Sequence, residues 1–300
     1  MKIIEVNTLP ALRQVLLAPA EQQDELFRML VMEPMRPTWE PMLAYMPHDP
    51  SDPSLSAARL IHLYRPELGA ERGLRALEQL ERAQVFEVNR RVLAEAMDAL
   101  HPDAHEGLSP DITLTLALMD PDGPMKEGYV GMGNTPGWVG LYIWPRNENW
   151  LKLPAITAHE FNHNIRFQQP DWTFPMTLGA YLVAEGLGET FAAELHGESS
   201  LGPWTTDLQE ETLRQLAPRY EELLLDNDFT QVRGYIFGDL PPEEFGAFAV
   251  PHVGVPPYAG YALGYHIVKD FLRRTGISAA EATYLPWRDI VNGSGWMRVP

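Results

Sequence analysis

Two histidines four residues apart, with a glutamate directly after the first, form the run His159-Glu160-Phe161-Asn162-His163. On a helix, positions i and i+4 lie on one face, one turn above the other. Both imidazoles can then hold a single Zn²⁺, while Glu160 serves as general base toward a metal-bound water. The flanks suit a buried helix: Thr157 and Ala158 precede the run, and Ile165 follows it. A catalytic zinc keeps three protein ligands and one open position, so a third ligand must come from elsewhere.

The nearest strong candidate is Glu185, 22 residues beyond His163, in the run Glu185-Gly186-Leu187-Gly188-Glu189. Glu185 and Glu189 would share a helix face about 6 Å apart along the axis. One can bind the metal while the other accepts the outer N–H of a ligand histidine and fixes its tautomer. We expect Glu185 on the metal and Glu189 behind His159. Gly186 and Gly188 each cost a helix about 1 kcal/mol relative to alanine, which points to close approach of the two helices. His196 continues the face three turns on, about 16 Å away, and reads as a helix-end residue.

Amide hydrolysis also needs a donor for the developing oxyanion besides the metal. Tyr261 and Tyr265, four apart in Gly260–Tyr265, are the candidates, with Tyr261 preferred. His266 aligns instead with Lys269, Asp270 and Arg273 on a solvated face, and His252 reads as loop. The expected function is zinc-dependent hydrolysis of peptide bonds. The alternative is a binding or regulatory protein with a structural metal, although such a site has no need of Glu160. Glu160-x-x-His163 also fits a di-iron carboxylate bundle, but that requires a second ExxH, which the chain lacks.

The elements that must position these groups follow from patterning. Residues 2–8 alternate weakly, as a short strand. Helical spacing runs from Leu12 to Val31, interrupted near Pro19. Pro34, Pro37, Pro41, Pro47, Pro50 and Pro53 predict an extended or looped stretch. A strong helical pattern covers 69–100. Asp111–Met119 and Trp138–Trp144 read as strands. Gly131–Gly137, just before the second, would shape or close over a strand edge able to bind extended peptide, the other reading of 138–144 being an ordinary sheet strand. Helices are expected over 153–168, 176–196, 206–226 and 259–274. The result is an α+β fold, mainly helical, with a small sheet preceding the HExxH helix. The expected division is a helical region with a proline-rich linker over 1–108 and a catalytic domain over 109–300.

Composition removes several classes of function. The formal charge of −18 repels phosphate backbones and anionic membranes, so neither nucleic acid nor lipid is an expected partner. No uninterrupted apolar run reaches 18 residues, and Glu5, Asn7 and Pro10 break any signal-peptide core, so a cytoplasmic location is expected. With no cysteine, a metal must be held by His, Asp and Glu. Peptide or protein is the expected substrate; the oligomeric state is open.

These residues resemble the YjaZ-like family of predicted zinc-dependent proteases. The likeness rests on Gly131–Thr135 with the strand behind it, Ala158–His163, Glu185–Glu189 and Gly260–Tyr265. It spans roughly residues 110–275. The resemblance implies a zincin-like fold of gluzincin type, with two histidines and one glutamate on zinc.

Overall fold

Threonine and aliphatic residues alternate along Asp111–Leu118, yet every residue after Asp111 is buried. That strand, β2, is internal and covered on both faces, the usual condition of a strand with parallel neighbours. The computed structural model describes residues 1–44, 46–241 and 250–300. With β1 (Lys2–Asn7), β3 (Tyr129–Thr135) and β4 (Trp138–Ile143), it forms a four-stranded sheet of order β1-β2-β4-β3. β1 and β4 run parallel to β2, in registers Lys2↔Asp111 and Thr113↔Trp138. β3 returns antiparallel to β4 and takes the outer position. The expectation that 138–144 offers an edge is therefore corrected. The glycine-rich segment before it is itself a strand and holds that edge, while β4 is enclosed.

Two compact units make up the chain. The first comprises 1–94 with 109–157, and the second 95–108 with 158–300. The first holds the sheet and the helices α1 (Leu9–Leu17), α2 (Ala20–Phe27), α3 (Arg36–Leu43), α4 (Pro53–Leu60) and α5 (Ala70–Arg82). α6 (Val85–Leu100) begins in this unit, after a break at Gln84, whose φ is 51°. The continuous pattern over 69–100 is thus two helices.

The proline-dense stretch departs from expectation, since α3 contains both Pro37 and Pro41. Pro37 sits in the first turn, where a backbone N–H has no helical acceptor anyway. Pro41 forfeits one bond in a short helix. Burial of Trp39 and Leu43 and the Trp39 Nε1–H bond to the Met32 carbonyl (2.8 Å) offset that loss.

The metal-motif helix is α7 (Leu153–Arg166), followed by α8 (Leu178–His196). Thr177 caps α8 by accepting the Ala180 N–H, and Gly197 ends it with φ 84°. From Leu178 to Ala192 only Tyr181 keeps solvent contact. A helix buried all round belongs in the centre of its domain, and α8 is the spine of the second unit. Around it lie α9 (Pro203–Thr206), α10 (Glu210–Glu221), α11 (Phe229–Phe237), α12 (Ala259–Thr275), α13 (Ala279–Ala282) and α14 (Trp287–Ser294). The fold is α+β. No helix among the described residues is long and apolar enough to cross a membrane.

Gly186 on α8 meets Gly264 on α12 backbone to backbone, and a Cβ at either position would fall inside the other helix. The C-terminus of α7 is pinned by a buried charge. Arg166 Nη2 donates to Asp171 Oδ2 at 2.5 Å, and the same oxygen accepts the Trp287 N–H at the start of α14 (2.8 Å). Breaking such a buried pair would leave an uncompensated charge.

Candidate metal centre

One turn of α7 sets His159 and His163 on the face turned to α8. Their Nε2 atoms approach to 2.9 Å. Glu185 Oε2 lies 3.2 Å from His163 Nε2 and 3.4 Å from His159 Nε2. All three side chains are buried. Ligand atoms around a tetrahedral ion at about 2.1 Å are about 3.4 Å apart, so this triangle has the dimensions of one face of a zinc site. Three convergent lone-pair donors in a buried place also call for a cation between them. The residues fit zinc on both counts.

Burial alone would raise the Glu185 carboxyl, but the His163 and His159 rings outweigh it and hold the group down at about 2. The converse holds at His159. Burial disfavours its cation, yet Glu185 and Glu189 together keep its pKa well above the ordinary imidazole value.

Behind His159, Glu189 Oε1 stands 3.4 Å from Nδ1. That oxygen also accepts the Trp204 indole N–H at 2.7 Å. The sequence gives no periodic signal for Trp204, which reaches Glu189 from α9 across a turn. His163 Nδ1 differs: it has no hydrogen-bond partner among the described residues, and its ring stacks on Phe167 at 4.8 Å.

The two glycines of α8 serve different neighbours. A Cβ at Gly188 would lie 2.8 Å from the His159 ring, so this glycine admits the ligand. Gly186 faces α12 instead and contributes nothing to the α7–α8 approach.

Glu160 keeps part of its surface exposed, next to the buried ligands. It acts electrostatically on His159 and on two tyrosines, Tyr181 and Tyr261. Both phenols are partly exposed, yet their pKa values are raised, first by burial and next by the Glu185 charge. Tyr265 points elsewhere. Its hydroxyl lies 3.2 Å from Lys269 Nζ and 3.4 Å from Glu198 Oε1. Tyr261 thus feels the charges of Glu185, Glu160 and Glu189, whereas Tyr265 is set against the Lys269–Glu198 ion pair. Arg233 on α11, in a stretch for which the sequence suggested no element, interacts with both Tyr181 and Tyr261.

Of the remaining histidines, His196 is the last residue of α8, and exposed His252 lies in a loop with Nε2 3.0 Å from the Leu240 oxygen. His266 corrects its solvated reading: it is half-buried against Trp296, with ring centroids 5.8 Å apart. A cavity of about 500 Å³ lies beside Arg219, Tyr235 and His252 and contains none of the cluster residues.

Residues 94–292 match the family model described as predicted Zn-dependent protease (DUF2268), which spans more than half of the chain. The chain belongs to this family. Among relatives, it is 30% identical to the uncharacterized protein YjfC of Bacillus subtilis (strain 168), over 98% of this chain and 99% of that one. It is 28% identical to the uncharacterized protein YjaZ of the same organism, over 45% of this chain and 48% of YjaZ. No solved structure matches the chain. Within this predicted Zn-dependent protease, the cluster His159, His163 and Glu185 is a buried trio able to hold a metal.

Proposed function

We propose that the chain is a zinc-dependent peptidase with a zincin-like catalytic unit of gluzincin type. The observation that carries this reading is the 2.9–3.4 Å triangle of His159 Nε2, His163 Nε2 and Glu185 Oε2 with Glu160 beside it. Zinc bound there would polarise the scissile carbonyl and acidify a water molecule. Glu160, adjacent to the ligands and partly open to solvent, accepts the water's proton and delivers it to the leaving amine. Glu189 holds the His159 imidazole in the tautomer whose Nε2 is free to ligate. Tyr261, a phenol protonated at neutral pH whose pKa burial raises further, donates its O–H to the oxyanion. The substrate is a peptide or protein.

Metal analysis and a peptide-library cleavage assay test this reading on three proteins. The wild type should hold zinc and cleave peptides. Glu160→Gln should keep zinc and lose about 10²–10⁴-fold in turnover. His163→Ala should lose the metal. Undiminished hydrolysis by Glu160→Gln would remove the proposed base. A zinc-loaded wild type that cleaves nothing in the library would favour a regulatory scaffold instead.

A further inference from the structure

Aromatic side chains leave the metal cluster along two paths within the second unit. The first starts at a ligand: His163 stacks on Phe167 (4.8 Å), Phe167 on Trp172 (4.1 Å), and Trp172 meets Tyr181 edge-on at 6.1 Å. The second starts at Tyr261, which lies 5.7 Å from Phe237. The Arg233 guanidinium is 5.7 Å from the Phe237 ring and 5.7 Å from the Phe229 ring, and Phe229 lies 5.4 Å from Phe174. Phe174 is two residues from Trp172, so the end of the second path comes close in sequence to the middle of the first. Each path contains a tyrosine, Tyr181 or Tyr261, that feels the charges of Glu185 and Glu160.

Trp172, Tyr181, Phe237 and Tyr261 pack against the core of the unit on one side and leave part of their surface open. Phe167, Trp172, Tyr181, Phe237 and Tyr261 are each partly exposed, while Phe174 is 74% and Phe229 41% exposed. Large apolar groups left in water at a site rim are unfavourable unless something covers them. Tyr181 and Tyr261 keep partial solvent contact although burial raises their pKa values. The only charge in the ring path is Arg233, in a chain of net charge −18.

Resting on the peptidase reading, we infer that this aromatic wall binds a large apolar side chain, aromatic above all, close to the scissile bond of the substrate. Continuity with the cluster fixes the occupant. Trp172 is two ring contacts from the ligand His163, and an extended peptide advances about 3.3 Å per residue. A side chain on the wall therefore belongs to a residue within one to three positions of the bond being cut. Ring-on-ring contact supplies both area and orientation, and a side chain without a ring forfeits both.

The test measures binding rather than turnover, by calorimetry. The proteins are Glu160→Gln with zinc and the wild type without metal. The probes are blocked hexapeptides of alanine and glycine carrying one phenylalanine, walked through each position. One or two positions should bind about tenfold more tightly than the phenylalanine-free peptide. The double substitution Phe174→Ser with Phe229→Ser should abolish that gain, so that every probe binds that variant alike. Both residues are exposed, and an unchanged melting temperature verifies the fold. Equal affinity for all probes, or a preference that survives the double substitution, overturns the inference. Cleavage by the wild type with no such preference would sink the subsite alone. Aromatic preference in a protein that cleaves nothing would sink the peptidase reading alone.

Discussion

Trp204 donates its indole N–H to Glu189 at 2.7 Å, and the same carboxylate oxygen faces His159 Nδ1 at 3.4 Å. The indole fixes the carboxylate, and the carboxylate fixes the imidazole. Glu189→Gln should therefore lower zinc affinity about 10–100-fold in a chelator competition. Trp204→Phe should lower it less, because the carboxylate charge remains. Unchanged affinity in Glu189→Gln would show that His159 is oriented by its helix alone.

Acidity should govern loading of the metal in a defined direction. In the metal-free protein His159 is protonated up to a pKa well above 6.5, and zinc must displace that proton. Zinc affinity should fall about tenfold per pH unit below that pKa. Glu189→Gln should move the onset to lower pH. For stability without metal, the raised His159 contributes fully below 6.5, and its contribution is lost as pH rises through the folded pKa. Glu185, held at about 2, contributes above 4.5, and its contribution is lost as pH falls toward 2. Melting of the metal-free protein should accordingly be highest between these limits, and a monotonic profile would contradict the pairing.

Glycine substitutions separate the two interfaces of α8. Gly188→Ala places a methyl 2.8 Å from the His159 ring and should cost at least about tenfold in zinc affinity. Overall helicity should hold. Gly186→Ala meets the Gly264 backbone, which cannot yield, and should cost about 1–3 kcal/mol or more in stability. Chemical denaturation with and without zinc reads both effects.

The tyrosines predict opposite outcomes. Tyr261→Phe should keep zinc and lose about 10²–10³ in kcat. Tyr265→Phe should leave kcat near the wild-type value, since that hydroxyl is engaged with Lys269 and Glu198. Steady-state kinetics with equal metal content distinguishes them.

Much of the centre was legible in the sequence because its parts obey helical periodicity. His159 and His163 share one turn, Glu185 and Glu189 another, and the paired glycines announced close contacts. Which neighbour each glycine serves was not legible, because it depends on how α12 crosses α8. Trp204 and Arg233 were missed for the same reason: they meet Glu189 and the pair Tyr181 and Tyr261 from other elements, and no spacing along the chain encodes that. The strand 129–135 was hidden by its glycines, which weaken strand propensity although the edge position tolerates them. In α3, proline statistics lost to the burial of Trp39 and Leu43.

Along its first four turns α8 meets water only at Tyr181, one turn ahead of Glu185. On the peptidase reading, Tyr181 and the partly exposed Glu160 would mark the way from solvent to the metal ligands. A peptide seated there would shield the metal from chelators, so occupancy by substrate and resistance to metal stripping would rise together.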